Sequence, residues 1–184
     1  MSRIFLISLM LMPTMALSHP GHGNEGAFLS GLSHPLGGLD HVLAMLAVGL
    51  WAGITGGRAF WALPVVFVAA MIAGGVIGAM GASLPMVEPM ILASIIVTGA
   101  LAALALRPGL AASLAVVAVF GLFHGHAHGT EGPASGLALY AFGFALATMA
   151  LHLAGLALVR AAPQHLARAA AAVTSVGGAA LAFS

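Results

Sequence analysis

Beyond Gly37 the sequence consists of six apolar runs, each roughly 18–26 residues long and nearly free of charge. They extend from Gly38 to Thr55, Phe60 to Gly81, Val87 to Leu106, Gly109 to His128, Ala134 to Val159 and Leu166 to Phe183. At about 1.5 Å of rise per residue, a helix of that length crosses a hydrocarbon core of about 30 Å. The connections are short and hold turn formers: Gly56-Gly57, Ser83-Leu84-Pro85, Arg107-Pro108-Gly109, Gly132-Pro133 and Ala162-Pro163. Short connections make antiparallel neighbours. The expected fold is therefore an all-α membrane protein, with residues 37–184 forming six transmembrane helices in a compact bundle. Only 5% of residues are charged against 61% apolar, which is not the composition of a water-soluble domain.

The N-terminus reads as a cleavable signal peptide over residues 1–18. Arg3 supplies the positive region, Ile4 to Met12 the short apolar core, and Ala16-Leu17-Ser18 the small-x-small cleavage site. An uncleaved first span is the alternative, but the apolar stretch is short and broken by Pro13. Cleavage leaves a His/Gly-rich segment, residues 19–36, outside the cytoplasm. In a six-span arrangement Arg58, Arg107, Arg160 and Arg168 all fall on one side, which the positive-inside rule makes cytoplasmic. Glu25, Glu88, Glu131 and both mature termini then face the periplasm of a bacterial inner membrane.

Composition excludes several classes of function. The chain has no cysteine and no lysine, so disulfides, thiolate metal sites and a GxxxxGK[ST] nucleotide loop are absent from the sequence. Five arginines against four acids leave no basic surface for nucleic acid. The 25 glycines include Gly74-Gly75, Gly78 and Gly81 in the second run and Gly177-Gly178 in the sixth. Their small-xxx-small spacing reads first as close packing within the bundle, with an oligomer interface as the alternative.

The polar groups that remain are concentrated in two places. One is His34-Pro35-Leu36-Gly37-Gly38-Leu39-Asp40-His41; the other is Phe123-His124-Gly125-His126-Ala127-His128-Gly129-Thr130-Glu131. On a helix His124 and His128 share a face, with Glu131 a turn further on and His126 pointing away. Gly125 and Gly129 suggest that the helix loosens there. His41 lies 17 residues from Arg58, and His124 lies 17 residues from Arg107. Both are thus about 26 Å from the arginine side, level with each other, and Glu88 arrives at the same level.

An isolated histidine in such a chain is best read as a hydrogen-bonded interfacial residue. Six imidazole and carboxylate groups converging on one plane are better read as a cation site, because polar groups near a membrane are costly and mark ion pathways. His34, Asp40, His41, His124, His128 and Glu131 are the main metal-ligand candidates. Asp40 is either a ligand or the acceptor that fixes an imidazole tautomer. Secondary candidates are His19 and His22 with the new α-amine, His126, Glu88, Met45 one turn below His41, and His152. The last lies about 12 Å from the arginine side and reads equally as an inner waypoint or as a neutral histidine bonded to a helix carbonyl. Imidazole and carboxylate without thiolate suit Ni²⁺, Co²⁺, Zn²⁺ or Cu²⁺.

The two motifs resemble signatures of the HupE/UreJ family of membrane proteins. The first, roughly HPxxGxDHxxAM, matches from His34 through Asp40-His41 to Ala44-Met45. The second, roughly FHGxAHGxE, matches Phe123-His124-Gly125, Ala127-His128-Gly129 and Glu131. The His-x5-Asp-His spacing also looks like the His-x4-Asp-His of larger nickel/cobalt permeases. The resemblance implies uptake of Ni²⁺, or of Co²⁺, by a secondary permease without an ATPase subunit, in the supply of hydrogenase or urease. No cofactor beyond the transported metal is expected, and the partners are the ion and the lipid bilayer. Two other classes stand beside this one. The first is a membrane metal-dependent hydrolase with Asp40 or Glu131 as base; the second is a metal-binding accessory protein that passes ions to a partner.

Overall fold

The computed structural model describes residues 24–183. The expected signal peptide, His19 and His22 lie outside the described residues. Seven α-helices follow one another: α1 (Asn24–Ser33), α2 (Leu39–Thr55), α3 (Ala59–Ala79), α4 (Val87–Ala103), α5 (Leu110–Glu131), α6 (Leu137–Ala161) and α7 (Gln164–Ala182). A 3₁₀ turn at His34–Leu36 joins α1 to α2, and there is no strand among the described residues.

Helices α2 to α7 coincide with the six apolar runs. Three of them, α3, α5 and α6, are long and apolar enough to cross a membrane; α1 and α2, bent by 77° where they meet, make a fourth if counted as one broken span. Helix α4 is apolar but only 17 residues long, which is about 26 Å. Helix α7 opens with the polar residues Gln164, His165 and Arg168 and falls short of the apolarity of the other three. Helix α1 was not expected. It belongs to the segment read as a polar lead-in, and it packs along α6.

Helix α2 is the central pillar. It packs against α3, α4, α6 and α7, and every residue from Ala47 to Ala52 is buried. A helix apolar on all sides must be surrounded to bury that surface, and this one is. The most extensive pairing is α3 with α5. Here Gly121, Gly125 and Gly129 of α5 lie against the carbonyls of Phe67, Met71 and Gly75, leaving no room for a Cβ. In return, Gly74 and Gly78 of α3 lie against the carbonyls of Leu122 and His126. The expected loosening of α5 at Gly125 and Gly129 is therefore corrected: the helix runs unbroken to Glu131, and those glycines let two backbones touch. Gly81, by contrast, is a turn residue with φ +78° and faces open space.

Large apolar side chains cover the exterior, while a minority of polar side chains is buried among the apolar core. Trp61, Val65, Ile72, Val76, Phe142 and Val173 are exposed, whereas Ser94, Thr98, His124, His128, Thr148 and His152 are buried. An apolar exterior that leaves polar groups to the interior is what a lipid solvent selects.

Charge separates along the bundle. Arg107 donates to the Ile54 carbonyl at 2.9 Å and Arg168 to the Ala103 carbonyl at 2.7 Å. These are the C-terminal ends of α2 and α4, where a cation meets unpaired carbonyls and the negative end of the helix dipole. Arg160 lies over the Phe60 ring, 4.4 Å from its centre. The connections carrying Arg58, Arg107 and Arg160 thus share one end of the molecule. Asp40, Glu88 and Glu131 stand at the other, with the histidine motifs.

Candidate metal centre

Two local features deliver the histidines of the first motif. The break at Gly37-Gly38 turns the chain by 77°, so His34 hangs over the bundle from the 3₁₀ turn while Asp40 and His41 fall in the first turn of α2. Helix α5 supplies the second motif from the facing side, with His124 and His128 one turn apart. The His41 ring centre is 5.1 Å from that of His124 and 4.5 Å from that of His128. The three residues offer nitrogen atoms within 4.8 Å of one another. Three nitrogens about 2.1 Å from one ion stand about 3.4–3.6 Å apart, so the cluster would close on a cation if each nitrogen moved inward by under about an ångström.

The hydrogen bonds fix which nitrogens are free. His41 Nδ1–H donates to Asp40 Oδ1 at 3.0 Å, which leaves Nε2 as a lone pair; that atom is buried and has no partner. The Ser94 hydroxyl donates its single proton to the Ile91 carbonyl at 2.6 Å. Its 2.9 Å contact with His124 Nε2 must then be accepted from an Nε2–H. His124 Nδ1 is consequently the lone pair, and it too is buried without a partner. Neither ring nitrogen of His128 has a hydrogen-bond partner. Asp40 and Ser94 thus do for two imidazoles what outer partners do in metal proteins generally: they fix tautomer and orientation so that one ring nitrogen is left bare.

A second group overlaps the first. His34, His128 and Glu131 also offer atoms within 4.8 Å of one another. Glu131 Oε2 is 3.5 Å from His34 Nε2 and 3.8 Å from His128 Nδ1. His128 belongs to both groups, so a ladder runs from Glu131 and His34 through His128 to His41 and His124. Its mouth is exposed and the rest is largely buried. The Glu131 side chain is 60% exposed and that of His34 35%, whereas those of His41 and His128 are 13% and 6%. His124 is wholly buried.

The structure brings together His34, His41, His124, His128 and Glu131, with Asp40 as the partner of His41. Among the remaining described candidates, His126, Glu88 and His152 belong to neither group of ligand atoms. His126 points away, as expected, and donates to the Ala82 carbonyl at 2.7 Å, tying α5 to the α3–α4 connection. Glu88 is exposed at the head of α4 and belongs to neither group of potential ligands. Met45 is fully buried in the apolar core. His152 is fully buried deeper in the bundle, and no carbonyl accepts from either of its nitrogens. The sequence reading missed Ser94. Its sequence-level signal is a hydroxyl half-way along a mostly apolar helix that also holds Thr98.

The fold and the centre together define an all-helical protein with helices apolar and long enough to cross a membrane and, at one end of its bundle, a group of histidines that could hold a cation. Comparison with known proteins gives the family. The HupE / UreJ protein family matches residues 7–183. The curated Protein HupE of Rhizobium leguminosarum bv. viciae is 41% identical over 180 residues, covering 95% of this chain and 94% of the relative. No solved structure matches. The chain belongs to the HupE/UreJ family.

Proposed function

We propose that this protein is a secondary permease carrying a divalent transition-metal cation, Ni²⁺ first and Co²⁺ second, from periplasm to cytoplasm for hydrogenase or urease. It crosses the bacterial inner membrane six times after signal cleavage, with α4 and α7 completing the spans and both termini of the mature chain outside. The observation that carries this reading is the trio His41, His124 and His128, two of them with the protein-facing nitrogen bonded and the other free. Three neutral imidazoles suit a borderline divalent ion and reject the hard cations Mg²⁺ and Ca²⁺, which require oxygen ligands. Their position favours capture at a mouth: Glu131 and His34 present charge and a first donor to water, and the ion then passes through His128 to the dry trio. Arginines at the opposite end set the histidine end outside by the positive-inside rule.

The test is Ni²⁺ uptake into proteoliposomes by wild type, His41→Ala and His124→Ala. Uptake should saturate with the wild type and fall by at least about tenfold in either variant, the usual scale for loss of a metal ligand's support. Undiminished flux in both would remove the trio from the pathway. Hydrolytic activity without flux would instead favour a metalloenzyme.

A further inference from the structure

Helix α5 carries half of the histidine centre, yet its backbone stands off from the helices that carry the other half. It packs along α3, and more lightly on α4, but not along α1, α2 or α6. The last of these follows it directly in the chain. Helices α1 and α2 instead each pack along α6. Gly49 of α2 lies against the His152 carbonyl and Gly155 of α6 against that of Leu46, much as glycines join α3 to α5. Small residues that let two backbones touch make a tight pair. The described residues thus hold two glycine-locked bodies, α1–α2–α6 and α3–α5, which meet through the lighter contacts of α3 with α2 and α6.

At the histidine end the centre itself bridges the bodies. His34, His41 and Phe144 reach from the first body and His124, His128 and Glu131 from the second. Ring centres stand 4.9 Å apart for His34 and His128 and 4.2 Å apart for His128 and Phe144. The seam around them is incomplete. A cleft of about 480 Å³ opens between α6 and the α3–α5 pair, lined in part by Met71, Gly75, His128, Ala141 and Phe144. Toward the arginine end the seam closes: the Thr148 hydroxyl meets Met71 Sδ at 3.7 Å, and the Phe67 ring centre lies 5.1 Å from that of His152. At the open end His41 Nε2, His124 Nδ1, both nitrogens of His128 and the Tyr140 hydroxyl are buried without partners. Buried polar atoms are ordinarily satisfied, so this end of the seam is the one short of a partner.

We propose that the centre straddles a hinge: the two bodies are joined toward the arginine end, and a bound divalent cation draws them together at the histidine end, narrowing the cleft. This rests on reading His41, His124 and His128 as a cation site. His41 stands on one body and His124 and His128 on the other, so bringing the bodies together brings their nitrogens to one ion. The closed arrangement offers all three at bonding distance. An ion that binds it better than the open one shifts the population toward it, and hinge closure around a ligand is the form such a shift takes.

The chain has no cysteine, so a single Ala141→Cys reports on the cleft, with Val173→Cys, exposed on α7 and outside the cleft lining, as the reference. Full-length protein in detergent is labelled with an uncharged maleimide, with and without saturating Ni²⁺, and Ni²⁺ affinity is measured by calorimetry. Ni²⁺ should slow labelling of Ala141→Cys severalfold, leave Val173→Cys unchanged, and lose its effect when His41→Ala is added. Ala141→Phe, which wedges the cleft, should weaken Ni²⁺ binding about tenfold by lowering the fraction of molecules able to close. Ni²⁺ that binds without slowing Ala141→Cys, that slows both cysteines alike, or that still slows it in the His41→Ala background would overturn the hinge and leave the permease reading standing. Wild-type affinity in Ala141→Phe would overturn it too. A wild type that binds no Ni²⁺ would bring down the hinge and the cation site together.

Discussion

A metal site is made of lone pairs rather than of residues, and here two neighbours decide where those lone pairs point. Asp40 holds the Nδ1–H of His41 and Ser94 accepts the Nε2–H of His124. Removing either partner leaves the imidazole in place but frees its tautomer and its rotation. Asp40→Asn and Ser94→Ala should therefore each weaken Ni²⁺ binding by about 10–100-fold, read by titration calorimetry, while His126→Gln leaves affinity unchanged. If Ser94→Ala binds like wild type, the orienting role assigned to the hydroxyl is wrong. Much of this centre is legible in the sequence. The i, i+4 spacing of His124 and His128 and the equal depth of His41 follow from helix rise alone, and the choice for Asp40 was narrowed to ligand or acceptor. Ser94 was not legible, because a hydroxyl in an apolar helix ordinarily bonds its own preceding carbonyl. Ser94 does that with Ile91 as well as meeting His124, and only the packing of α4 against α5 reveals the second contact.

Among the helices, the α3–α5 pair carries the lower half of the centre, and its closeness depends on glycine. A Cβ at Gly125 would collide with the backbone of Met71, and backbone cannot rotate away as a side chain can. Gly125→Ala should push the helices apart, costing about 1–3 kcal/mol and displacing His124 and His128 relative to His41. Gly109→Ala, where a Cβ meets nothing within 4 Å, should change stability by no more than about 0.5 kcal/mol. Unfolding of the purified protein in denaturing detergent, with Ni²⁺ affinity measured in parallel, separates the two. Equal stability in both would mean that the glycine row is not holding the pair together. In the sequence these glycines read as places where α5 loosens, since a helix-interior glycine signals either weakness or close approach and one strand of sequence does not say which. The α1 helix was illegible for a related reason. It is short and mixed in polarity, and it is held by α6 through Gly31 against the Tyr140 carbonyl and Gly143 against that of Phe28. The bend that swings His34 over His128 depends on that docking.

For the whole molecule, the decisive property is polarity along the bundle axis. Arginines bond the carbonyl ends of α2 and α4 at one pole, while every imidazole of the outer centre gathers at the other. On the permease reading, the direction of transport would follow from which pole faces out. The chain has no cysteine, so single cysteines report topology without background. Ser83 lies in the exposed α3–α4 connection at the histidine pole, and Gln164 is exposed at the start of α7 at the arginine pole. In intact cells with a permeabilised outer membrane, a membrane-impermeant maleimide should label Ser83→Cys at once and Gln164→Cys only after lysis. The positive-inside rule requires that result, because arginine-bearing loops resist translocation. The opposite pattern would place the histidine centre on the cytoplasmic face. The exposure gradient from Glu131 to His124 would then collect ions from inside, and the same ladder of donors would serve export.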